Sequence, residues 1–272
     1  MSESESARVT SDTLLGGRVA LQQPAAGYRV AIDPVLLAAS VPASDGERAL
    51  DVGCGVGAGA LCLASRVNGL QVTGIEIERS FAQQAADNAA LNGLEDRIDV
   101  LLGDFERPPP KLAPKSFDHV FANPPFFEQK SSQPPSSRAR AQATVEGTGG
   151  LDAWLDFCTR MVRPGGSITI IHRPERLAQI LGAFSLSRAG AVIVYPLWSH
   201  NPFGGARTKR AANRIIVQAT AEHGGPLQLS GGMILHEADG KYTHAADRVL
   251  RGGSALPLSQ DEEQEEEREE ES

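Results

Sequence analysis

From residue 48 onward, apolar residues come in short runs separated by polar or glycine-rich breaks. Arg48–Val52, Gln71–Ile77, Ile98–Leu102 and Phe117–Ala122 have strand length and are closed by turn-forming residues. Between them, Gly59–Val67 and the alanine-rich Ser80–Asn92 carry helical patterns. Further on, Leu151–Val162 predicts a helix ended by Pro164-Gly165-Gly166, Ser167–His172 a fifth strand, and Pro174–Leu186 another helix. Ala191–Leu197 and Arg214–Thr220 read as late strands that pair as a hairpin. Repeated β-α-β units predict an α/β fold: a mostly parallel twisted sheet, helices on both faces, and a C-terminal antiparallel hairpin. In such sheets ligands bind at the carboxyl ends of the strands.

Residues 1–12 and 253–272 have few apolar residues and are expected to be disordered, the second also through charge repulsion. Residues 13–252 then form one domain: an extension over 13–46, a core over 47–220 and a second extension over 221–252. Two long loops call for a reason. Glu128–Gly150 is a substrate lid or a disordered loop, and it carries Lys130, Arg138 and Arg140. Ser199–Ala212 carries Arg207, Lys209 and Arg210.

Charge changes the picture locally. The formal net charge is −8, but Asp261–Ser272 holds nine acids and one arginine, which leaves residues 1–260 neutral. Within that neutral body, Arg176 to Ala221 contains six basic residues and no acid, which suits a phosphate-bearing partner or an ordinary solvated face. Cys54, Cys62 and Cys158 form no CxxC pair, and the odd count argues against a disulfide framework. The six histidines lack metal-ligand spacing, so no metal is expected. The polar, acidic start resembles neither a signal nor a transit peptide, and no stretch has the length of a membrane span. The expectation is a reduced, cytoplasmic, soluble chain acting as a monomer.

The candidate chemistry sits on strand ends. Asp51-Val52-Gly53-Cys54-Gly55-Val56-Gly57-Ala58-Gly59 joins the first strand to its helix, and its glycines let backbone approach a ligand closely. Gly53, Gly55 and Ala58 also satisfy a dinucleotide fingerprint, which keeps an NAD reading open. Asp51 instead favours a sulfonium amino-acid nucleotide, whose ammonium needs a negative group nearby. Glu76 ends the second strand, where a carboxylate can accept both ribose hydroxyls. Asp104 follows the third strand and can accept from an adenine amine, with Phe105 packing on the ring. Cys54 reads as a small loop filler, and Cys62 and Cys158 as buried helix residues. His172 ends the fifth strand, where it either faces the site or serves as a satisfied structural histidine.

Asn123-Pro124-Pro125-Phe126 follows the fourth strand directly. Two prolines remove two backbone donors and stop the ladder. The Asn123 amide and the Pro124 carbonyl are then free to accept both hydrogens of a planar amino group, with Phe126 as a stacking plate.

Together, Asp51–Gly59, Glu76, Asp104 and Asn123–Phe126 resemble the motif series of Rossmann-like class I S-adenosylmethionine-dependent methyltransferases. The Asn-Pro-Pro-Phe elbow resembles the subgroup acting on adenine N6, guanine N2 or glutamine amides. Leu14–Arg18, Gly27–Leu37 and Gly240–Thr243 are similar to the bacterial tRNA (adenine-N6)-methyltransferases. That resemblance implies S-adenosylmethionine held by Asp51, Gly53, Cys54, Gly55, Glu76, Asp104 and Phe105, with Asn123, Pro124 and Phe126 catalytic. It implies methylation of adenine N6 beside the anticodon of a valine tRNA, at a position-37 type of site. The alternatives are an rRNA guanine-N2 or protein glutamine-N5 enzyme, or a non-catalytic, cofactor-binding RNA scaffold. Lys130, Arg138, Arg140, Arg207, Lys209 and Arg210 are the candidate phosphate contacts. Tyr28, Arg29 and Asp33 are expected over the methionine end of the cofactor. The proline-rich Pro108–Pro114, the Glu128–Gly150 loop and the acidic tail depart from compact members.

Overall fold

The computed structural model describes residues 9–26, 29–126, 149–202 and 211–259. Strands β1 (Val9–Leu14) and β2 (Val19–Pro24) form an antiparallel hairpin, followed by helix α1 (Asp33–Ala39). The core then alternates β3 (Arg48–Val52), α2 (Ala58–Arg66), β4 (Gln71–Glu76), α3 (Arg79–Leu91), β5 (Ile98–Leu102) and β6 (Phe117–Ala122). It continues through α4 (Gly150–Met161), β7 (Val162–His172), α5 (Leu177–Leu186), β8 (Gly190–His200) and β9 (Arg214–Thr220). Two short strands, β10 (Gln228–Leu229) and β11 (Met233–His236), and helix α6 (His244–Leu250) complete the described chain.

The large sheet has the order β10-β8-β9-β7-β6-β3-β4-β5, with β11 also on β8. Neighbouring pairs are parallel except around β9, which runs antiparallel to both β7 and β8. The expected hairpin is therefore the β8–β9 pair, with β9 inserted between β7 and β8. Alternate side chains enter opposite faces. Ala49 and Phe121 join one buried cluster with α1, α2 and α6, while Leu50, Val52, Val120 and Ala122 join the other with α4 and α5. A sheet covered on both faces needs the near-continuous apolar strands seen here.

The N-terminal hairpin docks by an unusual device. Asn88, mid-helix in α3 and fully buried, accepts from Gln22 N at 2.8 Å and donates to Gln22 O at 2.9 Å. One turn on, Asn92 does the same with Ala20 N and Ala20 O, both at 2.8 Å. Two side-chain amides thus replace a neighbouring strand along the open edge of β2, satisfying backbone groups that would otherwise need water. Asn88 Nδ2 also donates to Val56 O at 2.9 Å, tying the hairpin to the loop after β3.

Several expectations change. Val9–Asp12, expected to be disordered, lie in β1 because their backbone pairs with β2. At the other end, Leu256 and Leu258 are 4% and 2% exposed, and Leu256 N donates to Ala39 O at 2.9 Å. Strand β7 starts at Val162 rather than Ser167: Pro164-Gly165-Gly166 forms a bulge opposite β6 instead of a simple stop. A Cβ on Gly166 would lie 2.4 Å from Asp118 O, so this close approach needs glycine. Pro174–Leu186 divides into a 3-10 turn, Pro174–Arg176, and α5.

Candidate active site

The carboxyl ends of β3, β4, β5 and β6 bring Asp51, Glu76, Asp104 and Asn123 to one edge of the sheet. The turn after β3 is built from glycines at positive φ: Gly53 at 68°, Gly55 at 57° and Gly57 at 87°. It folds over β4, with Gly53 N and Cys54 N both donating to Ile75 O at 2.8 and 3.1 Å. Cys54 Sγ occupies the space a Cβ on Gly74 would need, 2.7 Å away, so it fills the loop as expected from sequence. Burial, with the charges of Asp51 and Glu76, pushes the Cys54 thiol well above its usual range and keeps it protonated. Cys62 and Cys158 are buried in α2 and α4.

Two carboxylates anchor this turn. Glu76 Oε2 accepts from Gly55 N and Oε1 from Glu78 N, both at 2.9 Å. Its pKa is raised by burial, against the backbone donors that lower it. Asp51 Oδ2 accepts from Ala60 N at 3.1 Å, and burial raises its carboxyl to about 7. A dry, acidic turn of this kind favours a cationic ligand, because a positive group nearby offsets the desolvation of both carboxylates. The residues thus fit a sulfonium amino-acid nucleotide: glycine backbone for close approach, Asp51 for positive charge, Glu76 for paired hydroxyls.

Asp104 Oδ1 accepts from Glu106 N at 2.9 Å, a local turn that leaves its other oxygen for a ligand amine. Phe105 is committed to packing, with ring centroids 4.6 Å from Trp154 and 5.7 Å from Phe157 on α4. Trp154, which sequence reasoning missed, forms the wall behind the glycine turn. A Cβ on Gly53 would lie 2.3 Å from Trp154 Cη2. Its position on the buried stripe of α4 gave no separate sequence signal.

The elbow after β6 carries the sharpest anomaly. Among the described residues, Asn123 Oδ1 is buried without a hydrogen-bond partner, as are Trp154 Nε1 and His172 Nε2. An orphaned buried acceptor costs about 1–3 kcal/mol, and Asn123 Oδ1 can take a donor at this strand end. His172 Nδ1 accepts from Arg173 N at 2.8 Å, which puts the proton of the neutral ring on Nε2. The Pro125 backbone also lies against the ring and favours its protonated form, against the effect of burial. Burial first, then the charge of Arg176, lowers His172 to about 4, so it stays neutral at physiological pH. Its ring meets Phe126 edge-on, centroids 5.3 Å apart at 82°. His172 is thus held by the backbone at the end of β7 and lies beside Phe126.

Lys130, Arg138, Arg140, Arg207, Lys209, Arg210 and Tyr28 lie outside the described residues. Arg29 pairs with Asp12 through Nη2 at 2.8 Å, and Asp33 with Arg214 through Nε at 2.9 Å, so both are engaged within the protein. Among the described residues, no cluster of His, Cys, Asp or Glu could hold a metal ion. No described helix is long and apolar enough to cross a membrane.

Comparison with known proteins fits this geometry. A family described as a methyltransferase domain matches residues 49–145. Over 226 residues the chain is 28% identical to the tRNA1(Val) (adenine(37)-N6)-methyltransferase of Aeromonas hydrophila, covering 82% of this chain and 87% of that protein. The protein of the same name from Dickeya chrysanthemi is 34% identical over 144 residues, 53% of this chain and 56% of that protein's length. Among solved structures, a predicted O-methyltransferase from Agrobacterium tumefaciens superposes with a TM-score of 0.67 at 24% identity, over 83% of this chain and 98% of that one. The cyclase SpnF shares the fold more loosely, at a TM-score of 0.51 and 20% identity over 72% and 84%. Fold by itself therefore leaves the chemistry open. The domain match and the named relatives make the chain a methyltransferase, and the glycine turn with Asp51 and Glu76 fits S-adenosylmethionine as its methyl donor.

Proposed function

We propose that the chain transfers the methyl group to an exocyclic amine, adenine N6 in tRNA beside the anticodon, at a position-37 type of site in a valine tRNA. The observation that carries this is Asn123 Oδ1: a buried acceptor without a partner among the described residues, at the end of β6. The names of the Aeromonas and Dickeya relatives support the substrate.

An adenine amine is a poor nucleophile because its lone pair is delocalised into the ring. Accepting one N–H at Asn123 Oδ1 and the other at the Pro124 carbonyl favours a pyramidal nitrogen with its lone pair available. When bound, the sulfonium cofactor supplies an already activated methyl group. Asp51, the Gly53-Cys54-Gly55 turn, Glu76 and Asp104 hold that cofactor, Phe105 backs the pocket, and Phe126 sets the plane of the base. Positioning is then the main demand on the protein, and the amine proton can leave to water without a strong general base. Neutral His172 is consistent with this. The base must leave its stack to reach the elbow, which a loop permits more readily than a duplex. Lys130, Arg138, Arg140, Arg207, Lys209 and Arg210 are assigned to RNA phosphates, and the enzyme acts as a cytoplasmic monomer.

The test is transfer from labelled S-adenosylmethionine to unmodified total tRNA, rRNA and protein extract in parallel, read by nucleoside mass spectrometry. N6-methyladenosine in tRNA is the expected result. Label in rRNA guanine or in protein moves the target. Cofactor binding with no transfer anywhere rejects the enzymatic reading.

A further inference from the structure

We propose that, given a purine stacked on Phe126 as in the reading above, Arg214 and Asp33 are positioning residues that make Phe126 a one-sided platform and strengthen its stack. The Arg214 guanidinium carbon lies 4.3 Å from the Phe126 ring centroid. Arg214 Nε donates to Asp33 Oδ2 and Nη1 to Asn213 O, both at 2.9 Å, so two of its three nitrogens are pinned and its plane is set. The side chains of Arg214 and Asp33 are 30% and 14% exposed, so the pair is partly withdrawn from water. His172 meets the same ring edge-on. With a cation on one face and an imidazole at the edge, the base takes the opposite face.

Topology produces this arrangement. Strand β9 runs antiparallel to β7, so its first residue, Arg214, stands at the sheet edge where the parallel strands end. Asp33 arrives at the same edge from the first turn of α1, 181 residues away in sequence. A guanidinium over an aromatic face is attracted by the ring's negative quadrupole. It draws electron density toward itself and leaves the far face less negative, which favours stacking of an electron-rich aminopurine there. Lysine at this position keeps the charge but loses the flat, bidentate geometry.

The test uses the full chain and an unmodified valine tRNA transcript, with a second transcript carrying 2-aminopurine at position 37. KM and kcat, cofactor affinity, fluorescence quenching and thermal midpoint are compared for wild type, R214Q, D33N, D33N/R214Q, R214K and F126A. R214Q is expected to raise the tRNA KM about three- to ten-fold and weaken quenching, with cofactor affinity unchanged. R214K recovers part of the loss. D33N/R214Q, which leaves no unpaired charge, recovers the thermal midpoint but keeps the KM and quenching defects. Recovery of KM in that double variant reduces the pair to a structural ion pair and overturns the proposal. So does an R214Q KM close to wild type when F126A raises it. If F126A changes neither KM nor quenching, or wild type transfers nothing to the transcript, the base-platform reading itself fails and this proposal falls with it.

Discussion

Replacing Gly53 by alanine tests how tightly the cofactor turn is pressed against α4. Two costs follow from the structure. At φ 68° a Cβ brings left-handed strain of about 1–2 kcal/mol. The new methyl would also lie 2.3 Å from Trp154 Cη2 and 2.8 Å from Cζ3. Trp154 cannot retreat freely, because Leu151, Leu155 and Cys158 on the same helix are fully buried. Overpacking of this kind adds about 1–3 kcal/mol. Gly55→Ala is the internal control: φ is 57°, but nothing lies within 4 Å of the added Cβ. The unfolded-chain benefit of removing a glycine is about the same for both, roughly 0.4–1 kcal/mol, and cancels in the comparison. Urea unfolding should therefore place Gly53→Ala about 1–3 kcal/mol below Gly55→Ala. Calorimetry should also show weaker S-adenosylmethionine binding for Gly53→Ala, since the displaced turn loses its bonds to Ile75 O. Equal stability losses in the two variants would refute the claim that Trp154 shapes the turn.

Asn123→Ala should keep cofactor affinity while lowering turnover by about 100-fold or more, as removal of a positioned transition-state hydrogen bond does; near-normal turnover on whichever RNA accepts methyl in the transfer assay would sink the elbow mechanism. Phe126→Ala should weaken RNA binding by about 1–3 kcal/mol, measured by fluorescence titration, and unchanged affinity would count against stacking. Cofactor affinity should depend on pH through Asp51. Its carboxyl titrates at about 7 in the free protein, so below that pH a cationic ligand must expel a proton. Affinity should then fall as pH drops below about 7, by at most about tenfold per unit. Calorimetry in buffers of different ionisation enthalpy would detect the released proton; Asp51→Asn should abolish the effect, and a flat wild-type profile would contradict it. Neutralising Arg207, Lys209 and Arg210 should flatten the salt dependence of RNA affinity, by about one unit of log–log slope for each RNA phosphate left without its cation, and an unchanged slope would reject those three residues as phosphate ligands.

Local pattern determined much of this protein. Ile98–Leu102, Phe117–Ala122 and Arg214–Thr220 are apolar runs bounded by turn residues, and each coincides with its strand. The glycine turn, Asp51, Glu76, Asp104 and the Asn123–Phe126 elbow were legible for a related reason. Each lies within a few residues of a strand end, and parallel pairing brings all such ends to one edge. What escaped was whatever depends on distant partners. Helix α1 is short and buried on nearly every residue, so it shows no polar–apolar period. Strand β1 alternates only between half-buried and exposed positions, and β2 closes its edge with Asn88 and Asn92 from a helix some 66–72 residues away. Trp154 behind Gly53 and Arg214 over Phe126 likewise meet their partners across the fold. Sequence set the order of the elements and the chemistry at their ends, because period and turn residues act within a few positions. Tertiary structure alone decided which side chains wall the turn, orphan the Asn123 acceptor and back the Phe126 ring, because those arrangements exist only once the sheet has closed.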